Sequence, residues 1–123
     1  MAFKTSDQEN KAIYSQGLKT ISGVNFTYRE IDVIACLVNQ RAEKKVAAIL
    51  SVSPKTVNAH VRNIMIKLSC NSKEDIIDFI ENSGKILLIR RYYSNLLILN
   101  SFLLKLKKIA QVINRKNINC SII

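Results

Sequence analysis

Ser53-Pro54-Lys55-Thr56-Val57-Asn58-Ala59-His60-Val61-Arg62-Asn63-Ile64-Met65-Ile66-Lys67-Leu68 is the stretch whose reading decides the fold. Ser53 followed by Pro54 is an N-cap and a first helical residue, the one helix position where a missing amide costs nothing. At about 100° per residue, Val57, Val61, Ile64, Met65 and Leu68 share one face, while Lys55, Asn58, Ala59, Arg62 and Ile66 share the other. Thr56, His60, Asn63 and Lys67 flank that outer strip. The spacing therefore predicts a helix over 54–68 with one side for a core and one polar, basic side for something else.

Working upstream, Glu43 to Leu50 reads as a shorter helix with Val46, Ala47 and Leu50 inward, Lys44 and Lys45 outward, and Glu43 favourably placed in the first turn. Only Ser51-Val52-Ser53 separates the two, which leaves room for a turn and nothing more. Before that, Thr27-Tyr28-Arg29-Glu30 has the form of a capping box. Ile31, Ile34, Ala35 and Val38 then recur at helical spacing, with Val33 and Leu37 beside them, and the helix is expected to end near Asn39. Downstream, Ser72 with Glu74 and Asp75 opens a fourth helix through Glu81, and Gly84 is a C-terminal stop. Ile76, Phe79 and Ile80 can close the core. Ile77 is left on a different face, where a partner subunit can cover it in a dimer. Asp75, Asp78 and Glu81 make this helix a poor surface for DNA.

Two helices joined by a three-residue turn, the second with an apolar inner face and a polar outer one, have the geometry of helix-turn-helix major-groove readers. A groove about 12 Å wide admits one α-helix. Ala59 permits close approach, Asn58 suits adenine, Arg62 suits guanine, and Lys55 completes the base-facing strip. Lys44, Lys45, Lys67 and Arg41 lie around it, and Glu43 is the sole acid between residues 41 and 73. Such cations suit phosphates, whose contacts position a protein without reading sequence. The competing reading of Asn58 and Arg62 is a solvated helix face, and that of His60 a solvent-exposed position.

F-T-Y-R-E-I-D-V-I (26–34) and V-A-A-I-L-S-V-S-P-K-T-V-N-A-H-V-R-N-I-M-I-K-L (46–68) resemble the LuxR-type (GerE/NarL-like) family of regulators. The pattern S-x-x-T-V-x-x-H followed by I-x-x-K-L is met by Ser53, Thr56, Val57, His60, Ile64, Lys67 and Leu68. The resemblance covers about half of the chain and implies a tetra-helical DNA-binding domain. It further implies base-facing positions at Asn58, Ala59 and Arg62, and backbone positions at Thr56, His60 and Lys67. We add Lys44, Lys45 and Asn63 to the backbone set. The chain departs from the pattern at Gln40, where Gly is usual, at Ala42, where a capping Ser or Thr is usual, and at Ser69, where Gly is usual. Asn58 stands where members often have Lys, which points to a less G-rich site.

Composition agrees with an all-α fold, since three Gly, one Pro and no Trp leave few turn formers for many short strands. Cys36, Cys70 and Cys120 form no C-x-x-C pair and an odd count makes a poor disulfide framework. A reducing cytoplasm follows as the expected location, and the polar start M-A-F-K-T-S-D-Q-E-N lacks the apolar run of an export signal. His60 is the only His and has no Cys or carboxylate at ligand spacing, so no metal is expected. No G-x-S-x-G, phosphate-binding loop or paired-carboxylate arrangement occurs, so neither an enzyme, a cofactor nor a small-molecule substrate is expected.

The net charge of +10 is unevenly placed. Residues 1–84 hold eleven Lys or Arg against nine acids, whereas 85–123 hold eight and no acid. The organisation expected is an N-terminal arm or short helix over 1–24, the DNA-binding domain over 25–84, and an apolar, basic helical extension over 85–123. A helical rhythm runs through Ile89, Tyr93, Leu96, Leu103, Leu106, Ala110 and Ile113. The longest charge-free run, Tyr92 to Leu104, is far short of the roughly 20 residues that span a bilayer. This extension can pack on the domain or on a second subunit, lie on a membrane surface, or open a further domain. The primary expectation is a dimeric, sequence-specific regulator of double-stranded DNA. The alternative is an interaction module whose tail docks a partner, with DNA binding secondary.

Overall fold

The computed structural model describes residues 17–122, with side chains through Arg115. A two-stranded antiparallel hairpin, β1 (Thr20–Ile21) and β2 (Val24–Asn25), precedes five helices. These are α1 (Tyr28–Val38), α2 (Glu43–Leu50), α3 (Pro54–Leu68), α4 (Lys73–Asn82) and α5 (Ile86–Ile122). The all-α class and the boundaries of α1 to α4 agree with the sequence reading to within a residue or two. Most of the segment expected as an N-terminal arm or short helix, 1–24, lies outside the described residues.

The hairpin was not expected. Its turn residues, Ser22 (φ 48°) and Gly23 (φ 82°), both have positive φ, the conformation whose twist matches the flanking strands in two-residue hairpins. Ile21 pairs with Val24 and Thr20 with Asn25, where the Thr20 hydroxyl donates to Asn25 Oδ1 at 2.6 Å. The hairpin brings Leu18, Ile21 and Phe26 into the core. Phe26 meets Phe79 of α4 edge to face, with centroids 6.4 Å apart.

Helix α1 is the centre of the molecule and is buried from Glu30 to Val38. The expected stripe of Ile31, Ile34, Ala35 and Val38 accounts for part of this burial, and α1 packs with α2, α3 and α4. Helix α5 also lies along α1, which covers it further. Asp32, buried among apolar side chains, accepts from the Tyr92 hydroxyl of α5 and pairs with Arg29 Nη1 at 3.3 Å. A buried carboxylate without such partners would be strongly destabilising, so this contact fixes where α5 docks. Beside it, burial and the negative charge of Asp32 push the Cys36 thiol up to about 12, which makes it an inert core residue.

Three helix ends share one device. After α1, the Gln40 amide donates to Leu37 O and the Arg41 amide to Cys36 O; Ser51 and Val52 repeat the pattern after α2, and Ser69 and Cys70 after α3. Each is a Schellman-type stop, and each puts a non-glycine residue in the left-handed region: Gln40 at φ 62°, Ser51 at 56° and Ser69 at 52°. Gln40 and Ser69 are two of the positions where the sequence departs from the LuxR pattern, and the backbone there does take the conformation that favours glycine. At Ala42 the N-cap of α2 has no side-chain hydrogen bond. Gly84, at φ 77°, makes the sharp turn from α4 into α5.

Helix α5 changes character along its length of 37 residues, about 55 Å. Ile89, Tyr92, Tyr93 and Leu96 are buried against α1 and α2, whereas every side chain from Ser101 to Arg115 is exposed. Among the described residues no helix is long and apolar enough to cross a membrane.

Candidate nucleic-acid interface

Helices α2 and α3 pack on one another and both rest on α1. Val57, Val61 and Ile64 of α3 are buried, with Met65 and Leu68 partly so, which matches the inner face read from the sequence. The start of α3 is fixed by Ser53, whose Oγ accepts from the Thr56 amide at 3.2 Å. Rotation about the helix axis is thereby set, and the opposite strip turns to solvent.

On that strip Lys55, Asn58, Ala59 and Arg62 are all exposed. Of the flanking residues, Asn63 is exposed and His60 half-buried, while the exposed Thr56 has its hydroxyl against Ser53 Oγ at 2.9 Å. Lys44 and Lys45 are exposed on α2. Helix α3 contains no acidic residue, and Glu43 is paired with Lys73 at 2.8 Å. The surface is therefore polar, cationic and free of competing carboxylates along this strip. At its far end Ile66 is 69% exposed beside Arg62 and Asn71, in a shallow depression.

Two basic residues of this neighbourhood have internal partners that sequence spacing does not reveal. Lys67 Nζ lies 2.6 Å from Glu30 Oε1, 3.0 Å from the Asn25 carbonyl and 5.7 Å from the centre of the Phe26 ring. It ties the end of α3 to the start of α1 and to the hairpin. Glu30 Oε1 also accepts from the Thr27 amide at 2.7 Å, completing the capping box that the sequence predicts. Burial alone would raise the Glu30 carboxyl, but the hydrogen bonds and charge of Lys67 together with the Thr27 contacts outweigh it and hold the group below its ordinary value of 4.5. Arg41 donates from Nε to the Tyr93 hydroxyl at 2.7 Å and lies 5.9 Å from the centre of that ring, so it is bound to α5.

Ile77 is half-buried on α4, whose Ile76 and Ile80 face the core. Glu74, Asp75, Asp78 and Glu81 are exposed on the same helix. Among the described residues no group of His, Cys, Asp or Glu is arranged to hold a metal ion.

Comparison with known proteins matches this geometry. Residues 24–80, from β2 to the last buried residue of α4, match the bacterial regulatory proteins of the luxR family, GerE. The chain is 38% identical over 47 residues to the nitrate/nitrite response regulator protein NarP of Escherichia coli, covering 38% of this chain and 22% of that protein. It is 37% identical over 59 residues to the transcriptional regulatory protein FixJ of Azorhizobium caulinodans, covering 48% of this chain and 27% of that protein. The matches thus span about a quarter of the length of these curated relatives. No solved structure matches the chain significantly. Family match and helix order agree, and residues 24–80 are a LuxR-type helix-turn-helix domain.

Proposed function

We propose that this chain is a cytoplasmic, sequence-specific transcription regulator that binds double-stranded DNA as a homodimer by inserting α3 into the major groove. One observation carries the reading: Lys55, Asn58, Ala59 and Arg62 are exposed together on an acid-free helix face whose reverse side is locked in the core. Those four residues face base edges, with Arg62 and Asn58 supplying most of the discrimination. Lys44, Lys45, Thr56, His60 and Asn63 lie against the phosphate backbone. Lys67, already bridging Glu30, acts on phosphates through its field while holding the end of α3 in place. Ile77 contributes to dimerisation. The likeness to NarP and FixJ, a response regulator and a transcriptional regulator by name, supports regulation of transcription and gives no ground for an enzyme.

The test is selection of bound duplexes from a random pool, followed by affinity measurements on the selected site. Arg62→Ala is expected to cost about 1 to 3 kcal/mol on that site and to relax base preference at one position. Lys44→Ala should instead weaken binding to selected and random duplexes alike and lower the salt slope by about 0.9. Should the Arg62 variant bind both kinds of duplex as the parent does, α3 does not read sequence through that residue.

A further inference from the structure

We infer that Ile66, on the outer strip of α3, is a further specificity-determining residue that packs against the C5-methyl group of a thymine in the major groove. This rests on the reading of α3 as the helix that enters the groove, and adds to it a base contact made by apolar packing instead of hydrogen bonds.

Position is the first observation. At about 100° per residue, Ile66 falls within about 40° of Lys55, Ala59 and Arg62, and opposite the buried Val57 and Ile64. The core that turns Lys55 and Arg62 to solvent therefore turns Ile66 the same way. Its side chain is 69% exposed, and within residues 24–80 it is the one large apolar side chain left exposed.

The surroundings are the second. Ile66 stands in a shallow depression whose other walls are Arg62, Met65, Ser69, Cys70 and Asn71, with no carboxylate among them. A protein partner recognises a contiguous apolar patch, and a single Ile rimmed by Arg62, Ser69 and Asn71 does not make one. A duplex fits better. Its phosphates suit the cations of the strip, and the apolar group among those the major groove presents is the thymine methyl.

The profile of side-chain length along the strip is the third. The floor of a groove that winds round a duplex falls away from a straight helix at both ends. Ala59 is short where α3 comes closest, while Lys55 before it and Arg62 and Ile66 after it are long enough to follow the floor. Ile66 lies about 6 Å beyond Arg62 along the helix axis, which places its thymine within about two base pairs of the base that Arg62 reads.

The experiment uses the whole protein and the duplex selected from a random pool. Each thymine near the Arg62-dependent base is replaced in turn by deoxyuridine, which deletes the methyl group and keeps the hydrogen-bonding edge. Parent and Ile66→Ala are compared on every duplex; position 66 is exposed on a helix, so Ala should leave folding intact, and far-UV circular dichroism checks this. At one thymine, loss of the methyl is expected to weaken the parent about threefold to tenfold, and Ile66→Ala to weaken binding of the thymine duplex at least as much. The same deoxyuridine should then cost the variant nothing further, because the two groups act as a pair. The salt slope should be unchanged in Ile66→Ala, since no cation is lost. Two results overturn the inference: a parent indifferent to every methyl, or a methyl whose loss costs parent and variant alike. Arg62→Ala on the same duplexes separates this inference from the reading of α3. If that variant relaxes base preference while methyl loss does not depend on residue 66, the reader stands and Ile66 alone falls. A pool that yields no selected duplex overturns both.

Discussion

Helix α3 and the far half of α5 both hold a face in solvent, and they differ in what stands behind it. The outer strip of α3 is polar, and its reverse side is packed through Val57, Val61 and Ile64, so Lys55, Asn58 and Arg62 are presented at a fixed rotation. The far half of α5 exposes Leu, Ile, Val and Phe around much of its circumference, interleaved with Lys and Arg, with no core behind them. Orientation by a core makes a surface that can discriminate. Apolar area without a core makes one that coheres with whatever covers it.

The contrast within α5 gives the largest expected effect. Ile89→Ala, in the docked half, should lower the free energy of unfolding in urea by about 2 to 5 kcal/mol, because it opens a cavity at a fully buried position. Leu106→Ala in the far half should change it by no more than about 0.5 kcal/mol in dilute protein, where assembly is suppressed. Equal losses would mean that both halves of α5 belong to one cooperative core.

A smaller effect concerns the clamp between Lys67 and Glu30, which joins the end of α3 to the rest of the domain. The Glu30 carboxyl titrates below its ordinary value in the folded protein, so the folded state takes up that proton less readily than the unfolded state does. The stability this confers is fully present above the ordinary value of 4.5 and is lost as pH falls through the lower, folded value. Urea midpoints followed from neutral to acid pH should fall more steeply for the parent than for Glu30→Gln. Parallel curves would show that the pair is too well solvated to matter.

The smallest effects belong to the helix ends. Ala42→Ser supplies the missing cap of α2 and should stabilise by about 1 kcal/mol. Ser69→Gly and Gln40→Gly remove a side chain from the left-handed region, with an expected gain of a few tenths to about 1 kcal/mol each after the entropy of glycine is set against it. Thermal unfolding of the three variants measures these gains, and a loss at Gln40 or Ser69 would mean that the side chain makes a compensating contact.

Much of the reader was legible in advance because its signals are local. Thr27 with Glu30, Ser53 with Pro54, and Ser72 each mark a helix start, and α1, α3 and α4 begin next to the residues they indicate. Gln40 and Ser69, seen first as departures from the family pattern, proved to occupy left-handed stops. The hairpin escaped because two-residue strands carry no alternation to detect, and Ser22-Gly23 was its one cue. The contacts of α5 escaped for a different reason. Tyr92 meets Asp32 across 60 positions and Tyr93 meets Arg41 across 52, distances at which helical periodicity is silent. An Asp inside the apolar stripe of α1 was the available hint that a polar partner had to arrive from elsewhere. Lys67 has the same history, since its position on the helix flank is read from spacing and its bond to Glu30 is not.

The two tyrosines also carry a consequence for orientation. They fasten α5 to α1 through Asp32 and to the segment leading into α2 through Arg41, and α5 then runs on as one unbroken helix. Its far half is thereby held at a set azimuth and height relative to the outer strip of α3. One residue inserted near Asn100 would turn that half by about 100° and advance it about 1.5 Å, while seven would bring it nearly back into phase one step further out. The length of α5 thus acts as a ruler with a helical scale, and the docked tyrosines are its zero mark.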